Sequence, residues 1–139
     1  MPPTFSERVR IVTEFLDSIG RLDFARVAAC LAENAVMFLP FVDGVPPVQG
    51  RSAIADHLRN SVPLMFDSMN FTYDDWYDIR DADSVIVEYH SECPQKGTSE
   101  IYRNSYITVF RFERGKISLY KEYLNPLRFA GFTDPTAES

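Results

Sequence analysis

Ile101-Tyr102-Arg103-Asn104-Ser105-Tyr106-Ile107-Thr108-Val109-Phe110-Arg111-Phe112, then a turn at Arg114-Gly115, then Lys116-Ile117-Ser118-Leu119-Tyr120-Lys121-Glu122-Tyr123-Leu124 is the stretch that decides the fold. Two runs rich in aromatic and β-branched residues flank a Gly-containing turn, and this predicts a β-hairpin. Further strands are expected just before it. Ser84 to Cys93 contains Val85-Ile86-Val87-Glu88-Tyr89, and Asn70 to Ile79 is rich in aromatics and Thr. The first half reads differently. Thr4 and Glu7 have capping-box spacing, and Phe5, Val9, Val12, Leu16 and Ile19 follow at helical period, with Gly20 as the stop. Asp23 is placed to cap a second helix, with Phe24, Val27, Ala28 and Leu31 on one face and Asn34 at its end. Ala35 to Pro40 fits a short strand, and Phe41 to Gly50 a loop rich in Gly and Pro. Ser52 is expected to cap a third helix running to about Val62, before Pro63. Helices first and strands later predict an α+β domain: three N-terminal helices packed on a strongly curved, mostly antiparallel sheet.

The chain of 139 residues suits one domain, with a core from about 5 to 126 and a loose polar tail from Thr133 to Ser139. Hydrophobic residues at 45% supply a core, and a net charge of −6 argues against nucleic acid or an anionic membrane as partner. No apolar run reaches the ~18 residues of a membrane span. The N-terminus lacks a secretory pattern, and Cys30 and Cys93 are too few for a disulfide framework or zinc site, so a cytoplasmic location is expected. No phosphate-binding glycine loop and no EF-hand spacing is present; no cofactor and no metal is expected. The 11 Phe, 7 Tyr and 1 Trp are unusual for this length and suit either a filled core or a pocket wall.

Within the hairpin, Tyr102, Asn104, Tyr106 and Thr108 share one strand face with Phe110. They line a pocket and offer hydroxyl and amide groups to a carbonyl, or they form a core face with satisfied polar tips. Tyr120 shares its face with Glu122. Simple pairing across Arg114-Gly115 sets Glu122 opposite Ile107, on the face away from Phe110; if Phe110 and Glu122 both point inward, a bulge lies between. His57 shares a helical face with Ile54 and Leu58, which turns it toward the sheet, either as a proton-exchanging group or as a hydrogen-bonded boundary histidine. Alternation in the Ser84–Cys93 run favours Val87 and Tyr89 inward and Glu88 and His90 outward.

The layout, with Tyr102-Arg103-Asn104-Ser105-Tyr106-Ile107, Gly115-x-Ile117 and the ending Lys121-Glu122-Tyr123-Leu124-Asn125-Pro126, resembles the SnoaL-like branch of the nuclear transport factor 2-like superfamily. The sharper resemblance is to the PhzA/PhzB phenazine-biosynthesis proteins. It implies a cone-shaped fold, a homodimer through the outer sheet face, and a small hydrophobic molecule as ligand. It also implies a cofactor-independent acid/base enzyme on a small carbonyl compound, of isomerase, cyclase, dehydratase or condensation type; the alternative is a non-catalytic ligand-binding or dimerisation module. The pocket glutamate of these proteins corresponds to Glu122, with His57 as its possible catalytic partner. The general base of ketosteroid isomerases aligns with Leu39, their helix-1 tyrosine with Phe15 and their protonated aspartate with Thr108, so the steroid mechanism is not expected here. Leu39 and Phe15 become pocket-wall residues. The histidine of PhzA-like proteins falls near Thr72.

Overall fold

The computed structural model describes residues 3–80 and 83–128. Helix α1 spans Phe5–Gly20, α2 Phe24–Cys30, and α3 Arg51–Met65. The strands are β1 Leu31–Phe38, β2 Val48–Gln49, β3 Phe71–Asp78, β4 Ser84–Pro94, β5 Ile101–Glu113 and β6 Lys116–Leu124. They form one six-stranded sheet in the order β2-β1-β6-β5-β4-β3. Only β1 and β6 pair in parallel. The α+β class and the mostly antiparallel sheet are as expected from the sequence. The expected loose tail, Thr133 to Ser139, lies outside the described residues.

Helix α1 starts in the capping box: Glu7 N donates to Thr4 Oγ1 at 3.1 Å, and Thr4 N donates to Glu7 Oε1 at 3.2 Å. Asp23 caps α2 by accepting from Arg26 N at 3.1 Å. Three local expectations need correction. Helix α2 stops at Cys30, and β1 begins at once with Leu31 instead of at Ala35. Pairing of Leu31 with Ile117 of β6 pulls these residues into the sheet, which outweighs their helical periodicity. Helix α3 is capped by Gly50, not Ser52, and continues through Pro63 to Met65. Val62 and Phe66, 5% and 2% exposed, anchor both sides of the proline, so packing overrides the breaker. Gly20 does not stop α1 by a left-handed conformation; Leu22, at φ 59°, takes that conformation. Gly20 instead allows close approach: a Cβ there would sit 2.3 Å from the Met69 carbonyl oxygen.

The α1 core stripe also differs from expectation. Arg8 is buried, while Val9 keeps partial exposure. The Arg8 guanidinium donates to Asp78 Oδ1 at 2.7 Å and to the Pro3 carbonyl at 2.7 Å. A buried charge persists because it is paired.

The β5–β6 hairpin turns through Arg114 and Gly115, at φ 53° and 77°. Positive φ at both central positions matches the right-handed twist of the flanking strands, and glycine adopts it without steric cost. The register then breaks. Phe112 pairs with Ile117, but Arg111 pairs with Leu119, leaving Ser118 as the extra residue of a bulge. Before the bulge Ile117 faces inward; after it Tyr120 and Leu124 do. Glu122 therefore lies opposite Thr108, not Ile107. Further register breaks interrupt the β3–β4 and β1–β6 ladders. Such breaks bend strands, consistent with a curved sheet. The face turned to the helices carries Val85, Val87 and Tyr89 of β4, Tyr102 to Phe112 in alternation on β5, and Met37 of β1, all buried with Val12, Phe15 and Leu16 of α1. Among the described residues no helix is long and apolar enough to cross a membrane.

Candidate active site

The inner face brings one carboxyl group among aromatic rings. Phe15 of α1 meets Tyr120 edge-on at 5.0 Å and Phe110 at 6.0 Å between ring centroids. Phe110 and Tyr120 stack, with centroids 5.4 Å apart and planes 3° from parallel. Tyr89 stacks on Tyr106 at 4.8 Å. Glu122 sits between these groups. Its Oε1 accepts from Tyr89 Oη at 2.7 Å and from Tyr120 Oη at 3.2 Å. The residue is half-buried, and Oε2 has no hydrogen-bond partner among the described residues without being sealed off. The carboxyl group is thus enclosed by protein while one oxygen stays reachable.

Burial raises the Glu122 pKa above the ordinary 4.5, against the opposing pull of the Tyr89 and Tyr120 hydrogen bonds, which favour the charged form. Desolvation wins because no cation is among the causes that act on it. Burial likewise pushes Tyr89 and Tyr120 well above 10, and proximity to Glu122 adds to the effect, so both hydroxyls remain donors.

The other expected site residues divide into two groups. Thr108, Phe110, Tyr120 and Phe15 surround the Glu122 side of the inner face. Leu39 is half-buried and directly follows β1, whose last ladder pair is Phe38 with Lys121, the residue before Glu122. Tyr106 is buried and shares a 2.8 Å hydrogen bond with Ser91 Oγ. Asn104 is tied into the backbone: Oδ1 accepts from Ser105 N and Asn125 N, and Nδ2 donates to the Tyr102 hydroxyl and the Asn125 carbonyl. All four of its hydrogen-bonding positions are used, so Asn104 and Tyr102 fasten the end of β6. His57 is half-buried on α3 and is not among the groups hydrogen-bonded to Glu122. His90 faces outward and its Nδ1 pairs with Asp74 at 2.8 Å. Thr72 is exposed and pairs with His90 in the ladder.

Sequence reading left out Tyr89. The signal was present in the alternation of β4, which turns Tyr89 inward: a buried phenol needs a partner. An open groove of about 360 Å³, lined by Asn70, Thr72, Glu92, Pro94 and Ile101, lies elsewhere, on exposed residues. It contains none of the expected site residues.

Comparison with known proteins agrees with this fold. The profile of the SnoaL-like domain matches residues 12–120. The chain belongs to the SnoaL-like family. YesE of Bacillus subtilis, itself uncharacterised, is 34% identical over 97 residues, covering 68% of this chain and 65% of YesE. The PhzA/B-like protein PA3332 of Pseudomonas aeruginosa is 31% identical over 80 residues, covering 58% of this chain and 55% of that protein. The match therefore spans less than two thirds of either relative. A Bacillus subtilis crystal structure provisionally assigned as an isomerase superimposes with a TM-score of 0.81 at 26% identity, covering 93% of this chain and 94% of that one. The SnoaL-like and PhzA/B-like resemblance is borne out, and with it a fold used by small-molecule enzymes.

Proposed function

We propose that this SnoaL-like domain is a cofactor-independent acid/base enzyme of small-molecule or secondary metabolism, with Glu122 as proton donor to a compact hydrophobic carbonyl compound. The reaction is of isomerase, cyclase, dehydratase or condensation type. The observation that carries this reading is the unpartnered Oε2 of a carboxyl group whose burial raises its pKa above the ordinary value. A neutral carboxylic acid donates a hydrogen bond to a carbonyl oxygen and then its proton. Phe15 and Phe110 pack on Tyr120 and shelter the carboxyl group, and Thr108 lies opposite it in the β5–β6 ladder. His57 is the candidate to return the proton. The two buried, unpaired thiols suit a reducing compartment, the cytoplasm.

The test is binding of a panel of small apolar ketones across pH, followed by ligand-detected NMR. Wild-type affinity is expected to fall as pH rises through the titration of Glu122, because the ionised carboxylate no longer donates. Glu122→Gln keeps a donor and its affinity stays flat with pH. Binding without pH dependence in the wild type would favour a non-catalytic ligand carrier of the same fold.

We also propose that a second copy of the chain covers the outer sheet face. That face carries Ile107, 40% exposed, with half-buried Ile86, Val109, Leu119 and Tyr123. Asp74 and Glu88 lie on its β3–β4 half, Arg103 and Lys121 on its β5–β6 half. A two-fold axis parallel to the strands sets each acidic half over the partner's basic half. Light scattering is expected to give twice the chain mass at micromolar concentration, and Ile107→Glu the single chain mass. A wild-type monomer would overturn this.

A further inference from the structure

We infer that Tyr89, held by Thr108, is a positioning residue that dedicates Glu122 Oε1 to the protein and leaves Oε2 as the single working atom of the site. The inference rests on the acid reading of Glu122 given above and adds which oxygen works and what fixes it. The hydrogen-bond inventory decides the directions. Tyr89 has one hydroxyl proton, and Glu122 Oε1 receives it at 2.7 Å. Thr108 Oγ1 lies 2.9 Å from the same phenol oxygen. With the Tyr89 proton already committed, Thr108 is the donor of that bond. The chain therefore runs Thr108 O–H to Tyr89 O–H to Glu122 Oε1, each bond polarising the next. Tyr120 Oη adds a second, longer donation to Oε1 at 3.2 Å.

When Glu122 is protonated, two donors on Oε1 make it the carbonyl-type oxygen and place the acid proton on Oε2. Thr108 is 0% exposed and Tyr89 is 1% exposed, so both hydroxyls are out of reach of a guest and serve Glu122 instead. This reassigns Thr108 from ligand contact to support. Packing fixes the chain in place: Tyr89 meets the Tyr106 ring at 4.8 Å and the Phe71 ring at 5.7 Å, and those two rings meet each other at 6.2 Å. The titratable neighbours are phenols: Tyr89 on β4, Tyr102 and Tyr106 on β5, Tyr120 on β6, and Tyr73 on β3, whose hydroxyl is bound to Asp17 of α1 at 2.6 Å. Toward β1 and α1 the site meets Met37 and Phe15, which do not titrate. On α3, His57 is half-buried, while Arg51, Asp56 and Arg59 are exposed.

The experiment is a side-chain ¹³C NMR titration of the full chain labelled at glutamate Cδ, with the Glu122 signal identified by its loss in Glu122→Gln. Tyr89→Phe removes one oxygen and with it the stronger bond favouring the charged form. The Glu122 midpoint is expected to move to higher pH, further than in Tyr120→Phe, which loses the longer bond. Thr108→Val is expected to move it in the same direction by less, since Tyr89 stays but donates more weakly. With the ketone probes, Tyr89→Phe affinity at low pH falls about two- to tenfold, because a freed carboxyl group loses its orientation. A midpoint that stays fixed or moves down in folded Tyr89→Phe overturns the inference. Upward shifts in this order without ketone binding in any variant uphold the hydrogen-bond chain and overturn the functional reading, so the two failures are distinguishable.

Discussion

Glu122→Gln should lower turnover of an accepted substrate by about 10²–10⁴-fold, the contribution of one positioned proton donor, and should raise stability at neutral and alkaline pH. Glutamine reproduces the shape and both hydrogen-bonding roles. Its Oε1 accepts from Tyr89 and Tyr120 as the carboxyl does, and its amide group donates where Oε2–H did. What it lacks is a transferable proton, so KM should change little while kcat falls. The stability gain follows from linkage. The folded protein holds the Glu122 proton more tightly than the unfolded chain, where the group titrates near 4.5. The neutral form's advantage is fully present below that pH. As pH rises from 4.5 through the raised folded value, the folded state must either keep binding a proton the unfolded chain has released or bury a charge. Wild-type stability is lost over that window, and the glutamine variant has nothing to lose. Thermal melts of both proteins from pH 4 to 8 should therefore diverge, with Glu122→Gln the more stable at the upper end. Parallel curves would remove Glu122 as a buried titrating group, and full turnover would remove it from the chemistry.

The placement of this carboxyl group shows how far the residues alone reach. The Ile101–Leu124 hairpin was legible because its turn and its β-branched and aromatic content are local signals. The facing of Glu122 was not, since it depends on a single extra residue, Ser118, that no local preference marks. A one-residue change of phase exchanges the two faces of a strand, so simple pairing pointed to Ile107 as its partner and left an inward Glu122 to an unplaced bulge. The α2–β1 boundary failed for another reason. Phe24 to Leu31 keeps helical periodicity, but the pairing of Leu31 with Ile117 is made between residues far apart in sequence and leaves no local mark. Arg8 was hidden in the same way, since its burial depends on Asp78 in β3. Tyr89 was legible in direction and missed in role. Alternation turned it inward, but only the coordinates show whose oxygen its hydroxyl meets.

Phe15→Ala should destabilise the fold by about 3–5 kcal/mol, the usual range for deleting a buried aromatic side chain. That is a large part of the ~5–15 kcal/mol that holds a domain together. Phe15 is 0% exposed, and its ring is the contact through which α1 rests edge-on against the stacked Phe110–Tyr120 pair. Edge-to-face contacts add about 0.5–1.5 kcal/mol beyond burial, and alanine removes both together. The cavity opens beside Tyr120, one of the two donors that hold Glu122. If water enters it, Glu122 is less desolvated and its titration moves back toward 4.5, a consequence separate from global stability. Phe15→Leu refills most of the volume and should cost less than half as much. Leu64→Ala, at a residue 78% exposed, should cost about 0.5 kcal/mol or less. Urea unfolding gives the stabilities, and the Glu122 ¹³C titration gives the site effect. A Phe15→Ala cost below that of Phe15→Leu would mean that α1 does not bear on the hairpin through this ring. A Glu122 midpoint left in place would mean that the space vacated by the ring stays dry and that the acid is sheltered by β4, β5 and β6 alone.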